Sequence, residues 1–243
     1  MEGAFNASAL LDFCPVLARM ISSGVAEGRS GRSIEIASSI STVNNLLVIR
    51  NILMAREISE TLETGMRAGG SCLVFTQSLR DRGAPSGVRH VAVDPYQRHP
   101  FNDACGLNAI ETAGLSALLE FREEFSCSAL PALLKEGRAF SVIYVDGSHN
   151  FEDVFVDMYY SAKLLKMGGL VLFDDSQSKG VRKVLQFVRK NLRASLREVD
   201  LTPYRPAVSV KYQIARRLNR QHLSAFEKIG QLERPNGYDF INF

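Results

Sequence analysis

The chain has 243 residues, 46% hydrophobic and 23% charged, enough apolar material for one large α/β domain with an ordinary soluble charge content. No apolar run approaches the ~18 residues that a membrane-spanning helix needs. Glu2, Asp12 and Pro15 break up the N-terminal stretch, which argues against a signal peptide. Cys14, Cys72, Cys105 and Cys127 stand singly without C-x-x-C spacing, so neither a structural zinc site nor a disulfide framework is expected, and a reducing cytoplasm is the expected setting.

In chain order, residues 7–23 predict an amphipathic helix with Leu10, Cys14, Leu17 and Ile21 on one face and Pro15 kinking or restarting it. The Gly-, Ser- and Arg-rich stretch 24–33 reads as a loop, and 42–58 as a second helix. A regular alternation follows. Strands are predicted at 61–65, 90–94, 119–123, 140–146 and 170–174, with helices at 69–80, 106–115, 128–136, 151–166 and 180–192. Strands separated by helix-length segments indicate a doubly wound, mostly parallel, Rossmann-like sheet. Two further strands, near 196–200 and 208–214, are joined through Pro203 and Pro206 and lie too close for a helical crossover, so they are expected as an antiparallel addition at one edge. That completes seven strands, behind an N-terminal helical extension.

The net charge of +3 is unevenly spread: residues 179–220 carry 12 Lys/Arg against Glu198 and Asp200, leaving the rest of the chain at about −7. A patch for nucleic acid, anionic lipid or an acidic substrate is one reading. The apolar stripe Val181, Val184, Leu185, Val188 and Leu192 favours the other, a solvated face of a packed helix.

Open parallel sheets bind ligands beyond the carboxyl ends of their strands, and three motifs fall there. The first, Glu63-Thr64-Gly65-Met66-Arg67-Ala68-Gly69-Gly70-Ser71, leaves a strand and opens a helix. Its glycines allow a tight turn and close approach to a ligand at a helix N-terminus, although a strand-to-helix turn often needs glycine anyway. The second, Val93-Asp94-Pro95-Tyr96, ends an apolar strand in an acid suited to ribose hydroxyls, or to starting a turn before proline. The third joins Tyr144-Val145-Asp146-Gly147-Ser148-His149 to Phe173-Asp174-Asp175. Three carboxylates and an imidazole at one sheet edge can hold a hard cation and move a proton. Glu152 and Asp153 follow Asn150 in the first turn of a helix and read as dipole partners.

These motifs carry a resemblance. Over roughly residues 43–200 the chain resembles the class I S-adenosylmethionine-dependent methyltransferases, and is most similar to their small-molecule O-methyltransferase branch. The E-x-G-x-x-x-G-x-S pattern is met by Glu63, Gly65, Gly69 and Ser71, and V-D-P-Y by Val93 to Tyr96. The D-G-S-H, L-L-K-x-G-G and D-D elements are met by Asp146 to His149, Leu164 to Gly169, and Asp174 with Asp175. The resemblance implies a cofactor-binding set of Glu63, Thr64, Gly65, Gly69, Ser71, Asp94, Pro95, Ser126 and Asp146. Glu63 and Gly65 would border the methionine moiety, Asp94 the ribose and Ser126 the adenine, with Phe125 standing where many relatives place an acid. It implies Asp146, Asp174 and Asp175 as metal ligands, an all-oxygen set suited to Mg²⁺, Mn²⁺ or Ca²⁺ over zinc. Asp146 and His149 would be catalytic, His149 as proton acceptor.

The resulting organisation is an N-terminal helical extension at 1–42 (a lid or dimer arm), a cofactor-binding domain at 43–215 and a C-terminal tail at 216–243. The expected activity is methyl transfer from S-adenosylmethionine to a small hydroxylated acceptor, with a homodimer conceivable and nucleic acid not expected as a partner. Two alternatives are a methyltransferase-fold binding or accessory protein without catalysis, and a nicotinamide-dependent oxidoreductase, whose G-x-G-x-x-G spacing is not met.

Overall fold

A computed structural model of the chain describes residues 12–37, 39–218, 220–232 and 240–243. Its elements, in order, are α1 (Pro15–Ser23), β1 (Val25–Glu27), β2 (Ser33–Glu35), α2 (Val43–Ala55), β3 (Thr61–Thr64), α3 (Gly70–Asp81), β4 (His90–Val93), α4 (Cys105–Thr112), β5 (Leu119–Arg122), α5 (Ser126–Lys135), β6 (Phe140–Val145), α6 (Phe151–Leu164), β7 (Leu165–Phe173), α7 (Lys179–Asn191), β8 (Leu196–Val199), α8 (Val210–Arg217) and β9 (Ser224–Lys228). The main sheet has seven strands in the order β5-β4-β3-β6-β7-β9-β8. No helix among the described residues is long and apolar enough to cross a membrane.

Two compact units divide the chain: Met1–Phe125 with Tyr204–Ala207, and Ser126–Pro203 with Val208–Phe243. In the first, β3, β4 and β5 run parallel, with Thr61 opposite His90 and His90 opposite Leu119. Every residue of β3 and β4 is buried, the signature of strands covered on both faces. In the second, β6 and β7 are parallel with Val145 opposite Phe173, while β9 runs antiparallel to both β7 and β8.

Three expectations change. Within 24–33 the chain is not all loop: β1 and β2 form an antiparallel hairpin with Ala26 opposite Ile34. The buried residues Ala26, Ile34 and Ile36 alternate with exposed ones, but the intervening Gly28-Arg29-Ser30-Gly31-Arg32 turn hides this short period from a composition reading. The predicted strand 208–214 is instead helix α8. Val208, Val210, Tyr212 and Ile214 mimic period two, yet Ser209 is an N-cap whose hydroxyl accepts from the Tyr212 N–H at 3.1 Å, and the Gln213-Ile214-Ala215-Arg216 run sustains helix. The antiparallel partner of β8 is β9, supplied by residues read as tail.

The N-terminal segment also differs in detail. Pro15 begins α1 at its first turn, where the missing N–H costs nothing. Cys14, Leu17 and Met20 are buried, whereas Ile21 is only half-buried. Residues 7–11, including Leu10, lie outside the described residues.

Much of the basic stretch is used within its own unit. Helix α7 buries Val181, Val184, Leu185, Phe187 and Val188. Arg189 forks onto Glu198 at 2.7 and 2.6 Å, Arg197 meets Glu227 at 2.6 Å, and Lys190 donates to the Asn242 carbonyl at 2.8 Å. The Asn191 side chain exchanges two hydrogen bonds with the Ile241 backbone, at 2.8 and 2.9 Å. The chain end is thereby fastened along α7.

Candidate active site

The turn after β3 begins at Gly65, whose N–H reaches the Val93 carbonyl at 2.8 Å. Gly65 and Gly69 both adopt the left-handed region, with φ +86° and +81°, which costs a side-chain-bearing residue about 1–2 kcal/mol. Gly69 faces a second constraint. A Cβ there would lie 3.0 Å from the Gly106 carbonyl oxygen, and a Cβ on Gly106 would lie 2.5 Å from that of Arg67. Two glycines therefore let α4 and the turn touch backbone to backbone.

Asp94 is the tie. Its Oδ2 accepts from the N–H groups of Met66 at 3.0 Å and Arg67 at 2.7 Å, and its Oδ1 from that of Tyr96 at 2.7 Å. Gln97, fully buried, donates to the Arg67 carbonyl at 2.6 Å. The acid assigned to ribose in the sequence thus spends three acceptor positions shaping the turn, and Gln97 is a partner the motif did not reveal. Its signal is faint: a polar residue three positions past a strand-ending acid. Thr64 and Ser71 are buried, and Pro95 is half-buried beside them.

Glu63 sits deeper than its motif role implies. It is fully buried, its Oε1 3.4 Å from Nε2 of His90, whose Nδ1 lies 2.9 Å from the Thr61 hydroxyl. The His90 ring stacks on Phe75 at 4.5 Å. Burial first, and then the charge of Glu63 and a hydrogen bond to it, push the Cys72 thiol well up from its ordinary range. The Glu63 carboxylate thus faces inward, toward His90 and Cys72.

In the second unit the β6–β7 register brings the residues after Val145 and Phe173 to one edge, and the Asp174 N–H donates to the Val145 carbonyl at 3.1 Å. Asp174 is buried. It accepts the hydroxyl of Tyr144 through Oδ2 and the Asp175 N–H through Oδ1 at 2.9 Å. Asp175 adopts φ +45°, rare for a residue with a side chain. Its Oδ2 meets His149 Nε2 at 2.9 Å, and its Oδ1 accepts from Gln177 at 2.9 Å. The His149 imidazole remains about half exposed, at 54%. Its backbone carbonyl packs against Gly180 so closely that a Cβ there would collide, so the start of α7 forms the floor of the histidine loop.

Asp146, His149 and Asp175 offer ligand atoms all within 4.8 Å of one another. This differs from the predicted metal set. Asp174 is turned to Tyr144 while His149 joins the group, and the alternation of side chains along β6 is the one hint that Tyr144 points to that side. Asn150 is the N-cap residue of α6, but its side chain makes no cap bond; Asp153 instead accepts from Ser148 at 2.7 Å and from Asn150 at 3.2 Å. Ser126 is half-buried at the first position of α5.

Residues 62–176 match the family model described as a methyltransferase domain. No curated protein matches the chain. Among solved structures, it is similar to the O-methyltransferase TomG from Streptomyces achromogenes, involved in tomaymycin synthesis and crystallised with S-adenosylmethionine. The identity is 16%, the TM-score 0.62, and 88% of this chain and 90% of that one are covered. The O-methyltransferase from Bacillus cereus in complex with S-adenosylhomocysteine is 15% identical, with TM-score 0.62 and coverage of 91% and 96%. The S-adenosylhomocysteine-bound methyltransferase PaMTH1 of Podospora anserina is 15% identical, with TM-score 0.64 and coverage of 94% and 96%. Likenesses at these identities establish the fold. Residues 62–176 thus carry a methyltransferase-domain match on a fold shared with O-methyltransferases crystallised with S-adenosylmethionine or S-adenosylhomocysteine.

Proposed function

We propose that the chain methylates a hydroxyl oxygen of a small molecule, with His149 as proton acceptor and Asp175 as the residue that orients it. The observation that carries this reading is the 2.9 Å contact between His149 Nε2 and Asp175 Oδ2. An N–H on Nε2 directed at the carboxylate leaves the Nδ1 lone pair to take a proton. S-adenosylmethionine supplies, when bound, a methyl group already activated on a sulfonium, so the protein has mainly to align the hydroxyl and deprotonate it.

The residues present suit that cofactor. Gly65 and Gly69 shape a turn that Asp94 holds open, and no side chain caps the N-terminus of α3. Its first N–H groups are therefore suited to the methionine carboxylate. Thr64, Ser71 and Pro95 line or support this turn. Asp94 acts chiefly by positioning the Met66 and Arg67 amides, with its remaining acceptor position directed to the ribose, and Ser126 is assigned to the adenine.

A second reading rests on the Asp146, His149 and Asp175 group. Those residues would hold a divalent cation that acidifies the acceptor hydroxyl. With an imidazole in the set, Mn²⁺, Fe²⁺ or Zn²⁺ is accommodated as well as Mg²⁺. Metal removal separates the two. Protein treated with EDTA and assayed for label transfer from methyl-labelled S-adenosylmethionine is expected to keep its turnover, because His149 and Asp175 suffice. Loss of turnover that Mn²⁺ or Mg²⁺ restores would replace the base mechanism with the metal one.

A further inference from the structure

Beside the Asp174–Asp175 strand end lies a cavity of about 280 Å³, lined by the ends of β8 and β9 and by α8. Its place follows from strand register. Ser224 opposes Phe173 and Ala225 opposes Val199, so the cavity opens at the edge where Asp174 and Asp175 leave β7. The Ser176 N–H donates to the His222 carbonyl at 2.9 Å, joining the Asp175 turn to the 221–224 wall.

The lining is mainly polar: Glu198, Asp200, Tyr212, Arg216, Gln221 and Ser224, against Val199, Leu201 and Leu223. Gln221 is the most informative. It is 7% exposed and donates through Nε2 to the Ser224 hydroxyl at 3.1 Å, while its buried Oε1 has no hydrogen-bond partner. A buried carbonyl without a donor is unfavourable, so this oxygen marks where a ligand donor belongs. Helix α8 supports the same reading. None of its residues is buried, yet Tyr212 and Arg216, four apart and hence on one face, both line the cavity. Arg216 pairs with Asp200 at 3.0 Å across the rim, placing a planar donor fork beside a carboxylate acceptor. Adjacent hydroxyls satisfy such a pair, each donating to one group and accepting from the other. A flat apolar ring offers Gln221 Oε1 no donor and leaves Arg216 and Asp200 only each other.

We propose that this cavity is the acceptor subsite and that it selects a polyhydroxylated, sugar-like molecule over a simple phenol. Gln221 Oε1 accepts a hydrogen bond from one hydroxyl, and the Arg216–Asp200 pair engages two neighbouring ones. The inference rests on the methyltransferase reading above and narrows its acceptor class.

The test is saturation-transfer NMR on protein loaded with S-adenosylhomocysteine, using methyl hexopyranosides and phenol as probes at about 10 mM, where weak sugar affinities register. Wild type is expected to give signals for at least one glycoside and a weaker one for phenol. Gln221→Met, which keeps the volume but removes the carbonyl, and Arg216→Gln, on an exposed helix, are each expected to weaken the glycoside by roughly 10-fold or more. Gln221→Glu, which retains an acceptor, is expected to preserve binding, and cofactor affinity is expected to stay within about twofold throughout. Absence of signal from every glycoside, preference for phenol, or unchanged binding in both weakening variants would overturn the proposal. Failure of the wild type to take up S-adenosylhomocysteine is a separate result and would strike the methyltransferase reading itself.

Discussion

Replacing His149 with alanine is expected to lower kcat by about 10²–10⁴-fold, the usual contribution of a positioned general base, while leaving cofactor affinity within about twofold. The imidazole is half exposed and packs in no core, so the loss is one of chemistry and not of folding. Asp175→Asn is expected to fall between wild type and His149→Ala. The amide keeps the volume but no longer holds the imidazole in the tautomer that leaves Nδ1 open. Asp174 supplies the contrast. It faces Tyr144 and the Asp175 N–H, so Asp174→Asn is expected to act mainly on stability, by about 1–3 kcal/mol for a weakened buried hydrogen-bond set. Single-turnover rates together with denaturant midpoints separate these outcomes. Full turnover in His149→Ala would remove the base mechanism.

The second large effect is expected at Gly106→Ala, where local and tertiary physics disagree in sign. In a solvated helix the change would stabilise by about 1 kcal/mol. Here the new Cβ arrives 2.5 Å from the Arg67 carbonyl oxygen and 2.9 Å from the Gln97 side-chain oxygen. The turn between Gly65 and Gly69 must move, and with it the amides that Asp94 collects. We expect a net destabilisation of about 1–3 kcal/mol, as for an overpacked contact, and roughly 10-fold weaker binding of S-adenosylhomocysteine. Urea midpoints and calorimetric titration check both numbers. A variant as stable as wild type with unchanged affinity would show that the close approach does not shape the site.

Much of the architecture was legible because it follows from burial. β3, β4 and β6 are covered on both faces, and their continuous apolar runs stand out between helix-length segments. The edges were less legible. β9 lies beyond a helix whose alternating Val208, Val210, Tyr212 and Ile214 imitate a strand, and β1–β2 is too short to show its period through the Gly28–Arg32 turn.

The site shows the same division. Motif spacing located the strand ends, but not the direction each carboxylate takes. Asp94 turns to the Met66 and Arg67 amides of the neighbouring Gly65–Gly69 turn, Glu63 turns inward to His90, and Asp174 turns to Tyr144. Asp175, through a left-handed backbone, reaches His149. Such choices depend on which partner occupies the neighbouring strand or turn, information that is not local in the sequence. The Gln221 cavity was hidden for the same reason: its walls come from two strand ends and a helix that read as tail and strand.

The most direct test of the central claim is calorimetric titration of the purified chain with S-adenosylhomocysteine. The Gly65–Gly69 turn and the uncapped start of α3 predict saturable binding at one site per chain, with Kd in the micromolar range or tighter, about −8 kcal/mol or more favourable. No heat and no thermal protection at about 1 mM ligand would contradict the proposal that this chain is an S-adenosylmethionine-dependent methyltransferase.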